Sequence, residues 1–156
     1  MKRILFVCTG NTCRSSMAEA LLRHLLDKEG LAGKFAISSA GTSAYPGMPA
    51  SHNAVQALCD AGIDLSRHYS SCVDNASIDS ADLILTMTAS HKLHLLQLRP
   101  DAAFKTYTLT EYCEAAGKAD IYDPFGGDLD IYINCRDEIS KYIELLVKKL
   151  KEEGED

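Results

Sequence analysis

Val7-Cys8-Thr9-Gly10-Asn11-Thr12-Cys13-Arg14-Ser15-Ser16-Met17 is the stretch whose reading decides the fold. Upstream of its polar centre, residues 3–8 form a short apolar run with the character of a buried strand. Downstream, residues 16–29 place Met17, Ala20, Leu21 and Leu25 at helical spacing. A strand that feeds a short glycine-containing loop and then a helix is the first half of a βα unit.

The same alternation continues outward. Residues 34–39 read as a second strand, followed by a Gly/Pro loop from Gly41 to Pro49. Residues 51–61 read as a helix stopped by Gly62. Residues 81–87 read as a third strand, 89–97 as a helix ended by Pro100, and 104–108 as a short fourth strand. From Leu129 to Leu150 a long amphipathic helix sets Cys135, Ile139, Tyr142, Ile143, Leu146 and Leu150 on one face. The acidic tail Glu152-Glu153-Gly154-Glu155-Asp156 reads as frayed. The expectation is an α/β fold: one three-layer domain over 1–156, with a four-stranded parallel sheet flanked by helices on both faces. Ligands of such sheets bind beyond the carboxyl ends of the strands, which points to the Cys8 loop.

The residue types in that loop suit a dianion. A tight turn entering a helix gathers backbone N–H groups at the positive end of the helix dipole. Gly10 and Asn11 tolerate left-handed dihedrals. The planar fork of Arg14 can hold two phosphate oxygens. Cys8 closes the strand, aimed at the same point, where these groups favour a thiolate. Ser15 can donate a hydrogen bond to the sulfur. A nucleotide-binding loop is excluded, because the required Lys-Ser/Thr ending is missing.

Transfer of a phosphoryl group to sulfur needs a protonated leaving group, so a carboxylic acid belongs nearby. Asp120, Asp123, Asp128 and Asp130 crowd one segment. Asp123-Pro124-Phe125-Gly126-Gly127 is the best candidate, because proline holds Asp123 extended and the glycines let the loop fold against a ligand.

Composition narrows the remaining classes. The chain has 156 residues, 46% hydrophobic and 24% charged, with a net charge of −6. That balance argues against non-specific nucleic-acid binding, which relies on basic surface. No run approaches the roughly 20 apolar residues of a membrane span, and the N-terminal apolar run is too short for a signal peptide. The six cysteines form no Cys-x-x-Cys pair and no dense framework. The expectation is a soluble cytoplasmic protein with free thiols, no metal and no cofactor.

At its two motifs the chain resembles the low-molecular-weight protein tyrosine phosphatase family. The likeness runs through Val7-Cys8 to Ser15, Met17-Ala18-Glu19-Ala20, Ser38-Ser39-Ala40-Gly41-Thr42, the strand through Met87, and Asp123-Pro124. The resemblance implies Cys8 as nucleophile, Arg14 as phosphate binder and Asp123 as general acid, with a phosphocysteine intermediate on Cys8. Thr9, Gly10, Asn11, Thr12, Cys13, Ser15 and Phe125 would form the substrate site, and Asn11, Ser15 and Ser39 would brace the loop. Phosphorylated proteins are the implied substrates and inorganic phosphate the product.

Two positions depart from the tyrosine-specific members. Thr12 stands where they usually carry a bulky aliphatic residue, and Gly126 follows Phe125 where they commonly have a second aromatic. Both features resemble the bacterial protein arginine phosphatase branch. A threonine hydroxyl can bond a guanidinium where an aliphatic side chain cannot. Phosphotyrosine is the alternative substrate. A non-catalytic phosphoprotein-binding module would need neither nucleophile nor acid. Arsenate reductases share the implied fold, but the thioredoxin-coupled ones need two further close cysteines, and Cys72 has no such neighbour.

Cys13 is placed to form a disulfide with Cys8 under oxidation, or else to pack. His91 and His94 share a helical face at i and i+3, a spacing that also permits metal binding, and are read in preference as a solvated face. His68 and Tyr69 are expected near the loop without an assigned role.

Overall fold

The structure, a computed structural model, describes residues 1–113 and 120–154. Its four parallel strands are β1 (Lys2–Cys8), β2 (Phe35–Gly41), β3 (Leu83–Thr86) and β4 (Thr106–Thr108), in the order β2-β1-β3-β4. The strand that ends in Cys8 is therefore interior to the sheet and hydrogen-bonded along both edges.

Side chains alternate across a strand, and β1 uses both faces. Ile4, Phe6 and Cys8 enter the larger core, with Met17, Leu22 and Leu26 of helix α1 (Arg14–Lys28), Ala54 and Leu58 of α2 (His52–Asp60), and Ile139, Ile143 and Leu146 of α6 (Leu129–Gly154). Leu5 and Val7 enter the smaller core, with Ile78 of α3 (Asn75–Ser80) and Leu95 of α4 (Ala89–Leu98). Burial on both sides explains why β1 reads as an unbroken apolar run rather than an alternating one. The three-layer arrangement expected from the sequence is the one observed.

Several local readings need correction. Residues 100–105 form a 3-10 turn, so the fourth strand shrinks to Thr106–Thr108. Pro100 opens this turn rather than simply ending α4. Helices α3 and α5 (Leu109–Tyr112) were not expected, yet each carries a capping box, Asp74 with Ser77 and Thr108 with Glu111. The carboxyl-terminal helix continues through Gly154, where Glu153 accepts from Lys2 and from the Tyr112 hydroxyl. The last two acidic residues lie outside the described range. In α1 the deeply buried positions are Met17, Ala18, Leu22 and Leu26, while Ala20 and Leu25 are only partly covered.

Candidate functional site

Cys8 is the last residue of β1, and its carbonyl accepts from Thr42 N (2.8 Å), just past the end of β2. Thr9 O accepts from Ser43 N (3.0 Å), so the loop starts out strapped to the neighbouring strand's exit. Gly41 makes that approach possible. A Cβ there would lie 2.2 Å from Thr9 O.

Asn11 then reverses the chain with φ 59°, the left-handed conformation that asparagine tolerates best after glycine. It is fully buried, and every polar group on it is used. Its backbone N–H donates to Cys8 Sγ (3.3 Å), and its carbonyl meets His68 Nε2 at 2.6 Å. Its amide nitrogen donates to Ser15 Oγ and Ser39 Oγ, each at 2.9 Å, while its Oδ1 accepts from Ser71 N (2.9 Å). Ser39 Oγ in turn donates to Glu19 Oε1 (2.6 Å), and Arg23 pairs with the other Glu19 oxygen (2.9 Å). Because Ser15 Oγ accepts from Asn11, its hydrogen is free to point at Cys8 Sγ, 2.7 Å away. Two donors thus converge on the sulfur.

Helix α1 begins at Arg14, and its amino-terminal residue Cys13 makes no side-chain cap bond. Helices α2, α3, α4 and α5 are capped by Ser51, Asp74, Thr88 and Thr108. The first turn of α1, with no side-chain cap, leaves N–H groups that an anion can engage in place of a cap. Arg14 is nearly buried. Its Nη1 donates to Ile121 O (2.9 Å) and its Nη2 lies 3.6 Å from Asp123 Oδ2.

Asp123 is held from the other side. Ile121 N donates to Met87 O (2.9 Å), anchoring the segment to the end of β3. Phe125 N donates to Asp123 Oδ1 (3.1 Å), and Gly127 N donates to Pro124 O (2.8 Å). Gly126 has φ 80°, and a Cβ on Gly127 would collide with Ile131. The glycines therefore do permit the tight turn that carries the acid. Asp123 remains half exposed while Arg14 is covered.

Cys8, Thr9, Gly10, Asn11, Thr12, Cys13, Arg14, Asp123 and Phe125 line one cleft of about 270 Å³. The cleft brings together the expected loop residues except Ser15, which is fully buried against Cys8 and Asn11, and the acid selected from the four candidates is beside the arginine. Ser39 lies one layer below, as a brace. Phe125 is exposed and forms a single aromatic wall. Cys13 sits at the rim, with its Sγ 3.3 Å from Tyr132 Oη and 3.5 Å from Ser51 Oγ. Behind the acid loop, Cys135 Sγ donates to Tyr122 O (3.5 Å). Burial pushes that thiol up to about 12.

His68 lies near the loop as expected, against the Asn11 carbonyl. Two participants were missed or misread. Glu19 terminates the Asn11–Ser39 network. His91 is not on a solvated face: it is 6% exposed and its Nε2 lies 2.7 Å from Thr9 Oγ1. Its partner is 82 residues away in the chain, so local periodicity could not report the contact.

Comparison with known proteins places this geometry. A family model described as low molecular weight phosphotyrosine protein phosphatase matches residues 3–156. A protein-arginine-phosphatase of Bacillus subtilis (strain 168) is 43% identical over 150 residues, spanning 96% of this chain and 97% of its own. The solved YwlE arginine phosphatase from Geobacillus stearothermophilus superposes with a TM-score of 0.89 at 42% identity, covering 98% of this chain and 95% of that one. A low molecular weight protein tyrosine phosphatase from T. tengcongensis superposes equally well, TM-score 0.89, at 38% identity over 96% of this chain and 99% of that one.

Proposed function

The chain belongs to the low molecular weight phosphotyrosine protein phosphatase family, a family of cysteine-dependent enzymes acting on phosphorylated proteins, and from that premise we propose that it removes phosphate from phosphoarginine, with Cys8, Arg14 and Asp123 carrying the chemistry. The observation that carries this reading is the shared cleft: a sulfur met by two donors, a covered guanidinium, an acid 3.6 Å from that guanidinium, and Thr12 at the wall.

The phosphoryl oxygens sit among the loop amides and the Arg14 fork, which compensate charge where it develops. Cys8 Sγ attacks phosphorus and the P–N bond breaks. Asp123 delivers its proton to the departing guanidine nitrogen. Asp123, now a carboxylate, takes a proton from water as that water attacks the phosphocysteine, and inorganic phosphate leaves with the thiolate restored. Before transfer, the substrate guanidinium brings donors only, and the Thr12 hydroxyl is an acceptor within the cleft. Leaving such a donor unpaired costs about 1–3 kcal/mol, enough to bias substrate choice.

Phosphotyrosine is the second reading. It is favoured by the exposed Phe125 ring at the cleft mouth, which can flank a phenol, and by the tyrosine phosphatases among the similar proteins. Comparing kcat/KM on phosphoarginine and phosphotyrosine peptides separates the two. The expected result is a preference for phosphoarginine that Thr12→Ile moves towards phosphotyrosine by about tenfold. A tyrosine preference in the unmodified chain overturns the arginine assignment. Cys8→Ser should abolish turnover on either substrate.

Among the described residues, no helix is long and apolar enough to cross a membrane, and all six cysteines are free thiols. We place the enzyme in the cytoplasm, without a metal, a cofactor, or a nucleic-acid or membrane partner. Cys13 is retained as a redox partner of Cys8; pairing would require its thiol to leave Tyr132 and Ser51.

A further inference from the structure

We propose that His91 is a positioning residue that fixes the Thr9 hydroxyl as a hydrogen-bond donor to the bound phosphoryl group, an inference that rests on the phosphatase reading of the Cys8 loop. The hydrogen-bond directions follow from counting protons. Thr88 Oγ1 caps α4 by accepting from His91 N (3.1 Å), and it lies 2.9 Å from His91 Nδ1. With its oxygen already accepting, its hydrogen goes to Nδ1. The imidazole proton is then on Nε2, which donates to Thr9 Oγ1 at 2.7 Å. The opposite tautomer would load two donors on Thr88 Oγ1 and strand its hydroxyl hydrogen.

Thr9 Oγ1 accepts from the ring, so its own hydrogen is turned away from the histidine. Thr9 lines the cleft beside Cys8 and Arg14. A phosphoryl oxygen placed there is the natural acceptor, and a bond to a charged acceptor is among the stronger kinds.

The direction of this relay is stable because the ring stays neutral. Burial first, and then Arg14, hold His91 down at about 4, against the opposing pull of Asp120 and Asp123. Thr86 Oγ1 donates to Thr88 O (2.8 Å), which fastens the turn that presents the cap. The contact therefore links the exits of β1 and β3 across the mouth of the site.

The test is a double-mutant cycle on the full chain, reading kcat/KM on a phosphopeptide and the competitive inhibition constant of inorganic phosphate. Thr9→Val and His91→Leu should each raise the phosphate constant and lower kcat/KM by about tenfold. The double variant should be no worse than either single one, because His91 acts through Thr9. His91→Gln, whose amide can reach Thr9, should recover to within about threefold. His91→Asn, which can replace Nδ1 but not reach Thr9, should match Thr9→Val, and it serves if the leucine variant fails to fold. Losses that multiply in the double variant, or an unchanged phosphate constant in Thr9→Val, overturn the assignment. Wild-type turnover in Cys8→Ser would instead overturn the reading of the Cys8 loop as the site of phosphoryl transfer, and absence of turnover on any phosphopeptide by the unmodified chain would overturn the phosphatase reading itself.

Discussion

Asn11 concentrates the site's organisation in one side chain. It supplies a left-handed turn, a donor to the sulfur, and three further side-chain bonds to Ser15, Ser39 and Ser71. Backbone and side-chain contributions are separable by substitution. Asn11→Gly keeps the dihedral and loses the side-chain bonds; Asn11→Ala loses both. We expect the glycine variant to lose about 2–4 kcal/mol in denaturant unfolding and the alanine variant about 1 kcal/mol more. Equal stabilities would show that the left-handed turn costs alanine nothing. Much of this residue was legible in the sequence, because asparagine after glycine in a strand-to-helix loop has few other uses. The reach of its amide to Ser39 and thence to Glu19 was not derivable from spacing, since those contacts cross between β2 and α1. His91 was misread for the same reason: a histidine on a helix looks solvated until the loop it touches is known.

At the scale of elements, the site depends on how two parallel strands end. Gly41 N donates to Ser71 O (2.8 Å) and Gly41 O accepts from Val73 N (2.9 Å), which draws the loop before α3 against the end of β2. The same glycine lets Thr9 pass close by. Gly41→Ala puts a methyl group against backbone that cannot swing aside, with Ala44 Cβ a further contact at 2.9 Å. The expected outcome is a destabilisation of about 1–3 kcal/mol together with a loss of kcat/KM, as the loop is displaced from its strap. A variant with unchanged kinetics would show that the strap does not set the loop's position. The long elements were legible because their apolar periodicity is strong over many residues. The short ones were not: α3 and α5 span six and four residues, too few for a period to declare itself. Their capping boxes were the available signal.

For the molecule as a whole, holding an imidazole neutral between β1 and α4 ties stability to acidity. The group's folded value, about 4, lies below its ordinary 6.5. Below 6.5 the unfolded chain binds the proton more readily, so the stabilisation is complete above about 6.5 and drains away as pH falls towards 4. The ceiling for this single group is about 3 kcal/mol. His91→Gln should therefore flatten the loss of unfolding free energy between pH 7 and pH 4, and an unchanged slope would assign the acid sensitivity to other groups.

The six thiols give the folded chain a built-in stopwatch. Cys59 and Cys72 are exposed, whereas Cys135 is clamped under α6 with its ionisation suppressed to about 12. An alkylating reagent added to native protein should tag those two and the cleft-lining Cys8 first and leave Cys135 unmarked until α6 peels off the sheet. The appearance of the Cys135 adduct, located by peptide mass, would then report the rate at which the molecule opens, without any engineered probe.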